Sequence, residues 1–121
     1  MSDIQELLGE LRRVQGVLGT AVLTSDGMCA ASDLDERFDE NAIAGLVSFL
    51  VSTSNRALSE MSSGSRCSRV SMHTTHGKLI VADCDGANLV VITDQFSDLE
   101  PITHEVDDAL RRLRRVSRIR I

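Results

Sequence analysis

Residues 77–94 read Gly-Lys-Leu-Ile-Val-Ala-Asp-Cys-Asp-Gly-Ala-Asn-Leu-Val-Val-Ile-Thr-Asp. Two β-prone runs, Lys78 to Asp83 and Asn88 to Thr93, flank Asp85-Gly86. That dipeptide turns a chain tightly because glycine accepts positive φ, so the stretch reads as a β-hairpin. The second run is apolar on both alternating faces, which suits a strand covered above and below.

Working outward, residues 17–24 (Val-Leu-Gly-Thr-Ala-Val-Leu-Thr) have the same doubly apolar character. Ser25-Asp26-Gly27 then turns the chain, and residues 28–32 return as a shorter strand. Residues 66–74 alternate, with Val70 and Met72 on one side and Arg69, Ser71 and His73 on the other. This is the most polar strand and belongs at an edge, while 17–24 and 88–93 belong together at the centre. Thr75-His76-Gly77 joins it to the next strand.

Three segments carry helical periodicity. Ile4, Leu7, Leu8, Leu11 and Val14 form a stripe that stops at Gly16. After an acidic, turn-like stretch at 33–39, a long helix runs from about residue 40 to 62. Its apolar arc is read as Ile43, Leu46, Val47, Leu50, Ala57, Leu58 and Met61, with Gly45, Ser48, Ser52, Asn55 and Ser59 opposite. Phe49 falls outside the stripe, beside Thr53, Arg56 and Glu60. The last helix, from residue 98 or 101 to about 116, carries Leu99, Ile102, Val106, Ala109, Leu110, Leu113 and Val116. Ser97 and Glu100 resemble a capping box, and Pro101 suits a first helical position equally well. Asp107 with Arg111 and Asp108 with Arg112 are expected i,i+4 pairs.

The order is α-β-β-α-β-β-β-α. With no repeat, linker or low-complexity tract dividing it, residues 1–121 read as one α/β domain: an α+β sandwich with a single antiparallel sheet and helices on both faces.

Composition narrows the function. Only 2% of residues are aromatic, which argues against nucleic-acid binding by base stacking. Residues 1–60 carry ten acids against four bases, 61–110 eight against three, and 111–121 six arginines and no acid. An acidic chain with one basic tail is not a general phosphate binder. An odd count of widely spaced cysteines (Cys29, Cys67, Cys84), with no leader pattern and no long apolar run, predicts free thiols, no transmembrane segment and a cytoplasmic protein.

No catalytic constellation is expected. The three cysteines sit in strand patterns and read as small core residues. His73 and His76 are spaced like a metal pair but lack two further close ligands, so no metal is expected. No glycine-rich phosphate cradle is present, so no nucleotide or other cofactor is expected. The chain reads as an interaction module and not as an enzyme.

Self-association is the expected mode. A bare edge strand invites a second chain, and small residues on the long helix let a second helix approach closely. The expected homodimer interface comprises Gly45, Ser48, Phe49, Ser52 and Thr53 of the helix with Arg69, Val70, Ser71, Met72 and His73 of the strand. Phe49 is read either as an anchor for the dimer or a partner, or as a residue buried against its own sheet. The C-terminal arginines are read either as a solvated, acid-paired helix face or as a basic patch. Phe49, Arg56, Arg111 and Arg115 are the candidate partner-binding residues.

The whole pattern resembles the roadblock/dynein light-chain family. The matching residues are Gly16-Val17-Leu18-Gly19, Ser25-Asp26-Gly27, Gly64, Gly77-Lys78-Leu79-Ile80-Val81 and Asn88-Leu89-Val90-Val91-Ile92, in that order. The resemblance implies a five-stranded antiparallel sheet with the long helix on one face and the first and third helices on the other. It implies a dimer with one continuous sheet, acting as a platform that binds and regulates a Ras-like small GTPase by activating hydrolysis or by scaffolding. A small-molecule sensor domain of similar topology is the alternative, which would need a ligand-sized pocket between sheet and long helix. The apolar, well-filled strands argue against such a pocket. One departure stands out: where many members place a glycine after the last strand, this chain has Thr93-Asp94-Gln95-Phe96-Ser97-Asp98. Partner contacts at the turn into the last helix are therefore not implied.

Overall fold

The computed structural model describes residues 2–120, with the side chains of Asp3 to Arg115. The elements are α1 (Ser2–Arg12), β1 (Val17–Leu23), β2 (Cys29–Leu34), α2 (Glu40–Met61), β3 (Arg69–His73), β4 (Gly77–Cys84), β5 (Ala87–Asp94) and α3 (Leu99–Arg120). All five strands form one antiparallel sheet in the order β2-β1-β5-β4-β3. The two most apolar strands, β1 and β5, lie side by side, and polar β3 is at an edge, as the sequence predicts.

Strand alternation sends alternate residues into two cores. Ile80, Ala82, Leu89 and Val91 meet Leu7, Leu8 and Leu11 of α1 and Ile102, Val106 and Leu110 of α3. Leu79, Val81, Val90 and Ile92 meet Ala44 and Val47 of α2 on the other face. The long helix thus covers one face and the two terminal helices the other. Thr20, fully buried, donates its hydroxyl to the Leu8 carbonyl at 3.0 Å and so stays satisfied beneath α1.

Several local expectations are corrected. β2 extends through Asp33 and Leu34, residues read from sequence as turn, because pairing with Thr20 and Gly19 of β1 outweighs their poor strand propensity. β3 is shorter than 66–74, so Cys67 lies outside the strand. Of the cysteines read as core, only Cys84 is buried; Cys29 and Cys67 are half-exposed. α3 begins at Leu99, with the Asp98 carboxylate accepting from the Glu100 amide at 3.2 Å. Ser97 does not cap that helix; its hydroxyl donates to Asp94 at 2.5 Å.

The two expected ion pairs within α3 give way to partners elsewhere. Asp107 accepts from Arg69 of β3 at 2.6 Å, and Arg112 reaches Glu10 of α1 at 2.5 Å. Arg111 stays within α3 and pairs with Asp108 at 3.5 Å, at i,i+3 in place of the expected i,i+4. Val116, Arg118 and Arg120 lie outside the described side chains.

Candidate interaction surface

β3 pairs with β4 alone, and the ladder shows which of its groups are free. The Ser68 carbonyl accepts from the Asp83 amide at 2.9 Å, and the Thr74 amide donates to Gly77 at 2.7 Å. Backbone groups alternate direction with period two. Residues 70 and 72 therefore also turn their N–H and C=O groups to β4. Arg69, Ser71 and His73 turn theirs outward, leaving a ready template for another strand. The side chains of Val70 and Met72 pack against the α2 core, while Arg69, Ser71 and His73 are exposed.

α2 lies on the sheet face to which Val70 and Met72 of β3 turn. Asp39 caps it, its carboxylate accepting from the Asn41 and Ala42 amides at 2.9 and 3.3 Å. The helix faces the sheet through Ile43, Ala44, Val47, Leu50 and Val51. Leu46, Ala57 and Met61, assigned to the core from sequence, are instead exposed, as is Phe49. The sheet-facing arc is turned by roughly 40° from the sequence reading, at about 100° of rotation per residue. Phe49 is 66% exposed and Met61 79% exposed, so the reading of Phe49 as buried against its own sheet fails.

The outward stripe of α2 carries Gly45, Leu46, Phe49, Ser52, Thr53 and Arg56. Nothing lies within 4 Å of where a Cβ on Gly45 would sit, so the helix surface there is flat and open. Ser48 lies off this stripe, half-buried over Gly27, and Asn55 accepts from the Cys67 amide at 2.7 Å. The structure thus brings Gly45, Phe49, Ser52, Thr53 and Arg56 onto one face of α2, on the side of the sheet to which Val70 and Met72 of β3 turn. Leu46, Ala57 and Met61 are surface residues that the sequence reading missed. The signal was present as surplus apolar residues, more than one helix face needs.

Arg111 and Arg115 are exposed on α3, in the layer on the opposite face of the sheet from α2. They do not join the Phe49–Arg56 stripe. Arg69 is tethered to α3, and its guanidinium holds the Asp107 carboxyl below the usual carboxylate range. That ion pair fixes the edge strand against the helix layer, although exposed pairs contribute little energy.

Between α2 and the end of the sheet lies a groove of about 380 Å³, lined chiefly by Leu18, Phe38, Ile43, Leu79 and Ile92. It is open to solvent, so the well-filled space expected here is absent, and so is an enclosed ligand chamber. His73 is on β3, while His76 sits in the following turn with its ring nitrogen 2.8 Å from the Thr75 hydroxyl. Among the described residues no group of three or more His, Cys, Asp or Glu side chains is placed to hold a metal. Burial, followed by the nearby Glu40, pushes the Cys29 thiol up, which makes it a poorer nucleophile. No helix among the described residues is long and apolar enough to cross a membrane.

The sequence profile of the Roadblock/LC7 domain matches residues 3–93, three-quarters of the chain and all five strands save the last residue of β5. The chain belongs to the Roadblock/LC7 family. An uncharacterized protein of Methanocaldococcus jannaschii is 32% identical over 93 residues, covering 77% of this chain and 78% of its own. Among solved structures, MglB of Myxococcus xanthus superposes with a TM-score of 0.90 at 15% identity, covering 99% of this chain and 91% of its own. A Roadblock/LC7 domain from Streptomyces avermitilis gives 0.83 at 22% identity, covering 93% and 95%. At such identities these structures speak for the Roadblock/LC7 fold alone. The expected family membership and arrangement of helices about the sheet are both met.

Proposed function

We propose that residues 1–121 form one domain that works in the cytoplasm as a non-catalytic homodimer, binding and regulating a Ras-like small GTPase. The observation that carries the reading is an edge strand with free outward backbone groups together with a helix, on the sheet face to which Val70 and Met72 turn, that exposes Phe49 beside small residues. Each alone is common. Together, about a two-fold axis, they make a self-complementary surface in which strand meets strand and helix meets helix. The resulting sheet of ten strands presents a broad face, with Arg56 next to Phe49 as a cation available to a partner.

Regulation follows from differential affinity. A platform that holds the switch segments of a GTPase in one arrangement shifts their population only as far as it prefers that arrangement. Family membership supports the small-GTPase class. The test is binding of a purified Ras-like GTPase from the same organism, loaded with GDP or a GTP analogue, followed by calorimetry. Binding that favours one nucleotide state is expected, and failure to bind either state overturns the regulatory role.

The strand contact has its own test. Ser71→Pro removes an outward N–H without touching the β4 ladder, and edge strands tolerate proline there. The expected result is a folded chain with self-association weakened about tenfold or more by sedimentation. An unchanged mass distribution would show that β3 is not the pairing edge.

A further inference from the structure

One end of the sheet carries two unmatched features on opposite faces. Here α1 leads into β1, β2 into α2, β3 into β4 and β5 into α3. On the α1–α3 side stands Phe96, 85% exposed, in the turn between β5 and α3. On the α2 side is the open apolar groove.

The turn holding Phe96 is fixed from several directions. The Asp94 carboxylate accepts from the Phe96 and Ser97 amides at 3.0 and 2.8 Å and from the Ser97 hydroxyl. Lys78 donates to the Ser97 carbonyl at 2.6 Å, and the Asp94 amide donates to Gly16 at 2.9 Å. Gly16 has φ +90° and leaves no room for a Cβ against Ser97. An apolar ring is therefore projected into solvent on a braced support, so docking it orders little further backbone. Asp98 and Glu100, both exposed acids, stand next to it.

The groove is the opposite in shape and charge. Of its basic lining residues only Arg37 and His76 can present a side chain to it, because the Lys78 ammonium is held on the opposite face by the Ser97 carbonyl, and no carboxylate is among the lining. Arg37 pairs with Asp35 yet keeps a side chain 62% exposed, and its guanidinium lies over the Phe38 ring at 5.8 Å. Phe38 among aliphatic side chains, with the Arg37 guanidinium over it, suits an aromatic side chain flanked by acids. The chain carries that combination in its own residues 94–100.

The placement permits reciprocity. A two-fold axis lying across the end of the sheet exchanges its two faces, bringing the ring of each chain to the groove of the other. Leu46 and Met72 form the groove margin nearest the α2 and β3 surface, so this contact adjoins the proposed dimer face without requiring it. We propose that this end is a second self-association site, at which Phe96 of one chain seats in the α2-side groove of a second copy and the second copy returns the contact. A dimer formed through β3 and α2 would carry two such ends, so the end contact extends dimers into larger assemblies.

Sedimentation of the full chain over a concentration series tests this. Wild type should pass beyond the mass of two chains. Phe96→Ala, at an exposed position, should keep its melting behaviour and weaken the larger species about tenfold or more. Arg37→Glu and Asp98→Arg should each weaken them, and the two combined in one chain should restore them. Ser71→Pro separates this proposal from the β3 contact: that variant should still pair through its sheet ends, and adding Phe96→Ala should leave single chains. Wild type held at two chains at its highest soluble concentration would overturn the proposal. So would a Phe96→Ala mass distribution identical to wild type, and the groove would then belong to another occupant.

Discussion

Phe49→Asp, made together with Phe96→Ala so that the sheet ends cannot pair, should leave the chain folded and monomeric. The ring is 66% exposed in the single chain, so its own core loses almost nothing. In an isologous contact every residue is used twice, so the substitution buries two carboxylates near one axis and removes two aromatic anchors. Unpaired charges leave water only at a cost of several kcal/mol each, and self-association should weaken by about a hundredfold or more. A dilution series of melting curves reads both halves of the claim. A dimer melts at a temperature that rises with concentration, whereas a monomer does not. Phe96→Ala alone should show that rise and the double variant should not, with the two curves converging at low concentration. A double variant that associates as Phe96→Ala does would remove α2 from the interface.

Gly77→Ala should be among the most damaging single-methyl changes in the chain. Gly77 opens β4 opposite Asp94 of β5, and it is buried. An added Cβ would sit far inside van der Waals contact with the Thr93 carbonyl oxygen, a backbone atom. Thr93 cannot retreat, because β5 is flanked by β1 and pairs there through Val17. The sheet must part or the strand must shift, at an expected cost of about 3 kcal/mol. That corresponds to roughly 10 °C in melting temperature for a domain of this size. Gly45→Ala is the matched control, since a Cβ there meets nothing and helix propensity favours alanine. Urea denaturation of both variants measures the difference. Equal midpoints would mean that the β4–β5 contact relaxes more easily than its geometry implies.

The two glycines show how far the residues can be read unaided. Both appear in the sequence as single letters inside periodic segments. Gly77 marks a turn signal and so could be placed, but its close approach to Thr93 depends on a strand partner sixteen residues away. The ion pairs teach the same lesson. Asp107 and Arg111 satisfy every local rule for an i,i+4 pair, yet Asp107 goes to Arg69, 38 positions away, because β3 brings that guanidinium to 2.6 Å. Local spacing sets which pairs are possible, while competition from distant groups decides which form.

The long helix is the most instructive miss. Summing apolar residues over residues 40–61 gives a single preferred direction, but the helix answers two demands. Val47 and Ala44 serve the sheet, while Leu46, Phe49 and Met61 face away from it. A vector average of two faces points between them, which explains why the stripe was rotated and why Leu46, Ala57 and Met61 were assigned inward. Phe96 was visible only as a residue in a turn without glycine, and its exposure became a feature when Asp94, Ser97, Lys78 and Gly16 were seen to brace it.

By itself, the sequence determined the order of elements, the centre and one edge of the sheet and the family. Those follow from periodicity and turn chemistry, which act between near neighbours and are written in the order of residues. Only the tertiary structure decided which face of α2 looks outward, which backbone groups of β3 are free, where Arg69 and Arg112 find their partners and that an open groove lies under the helix. These depend on which segments meet across the sheet. Exposure is a property of what fails to pack against a residue, and no local pattern contains the position of an absent neighbour.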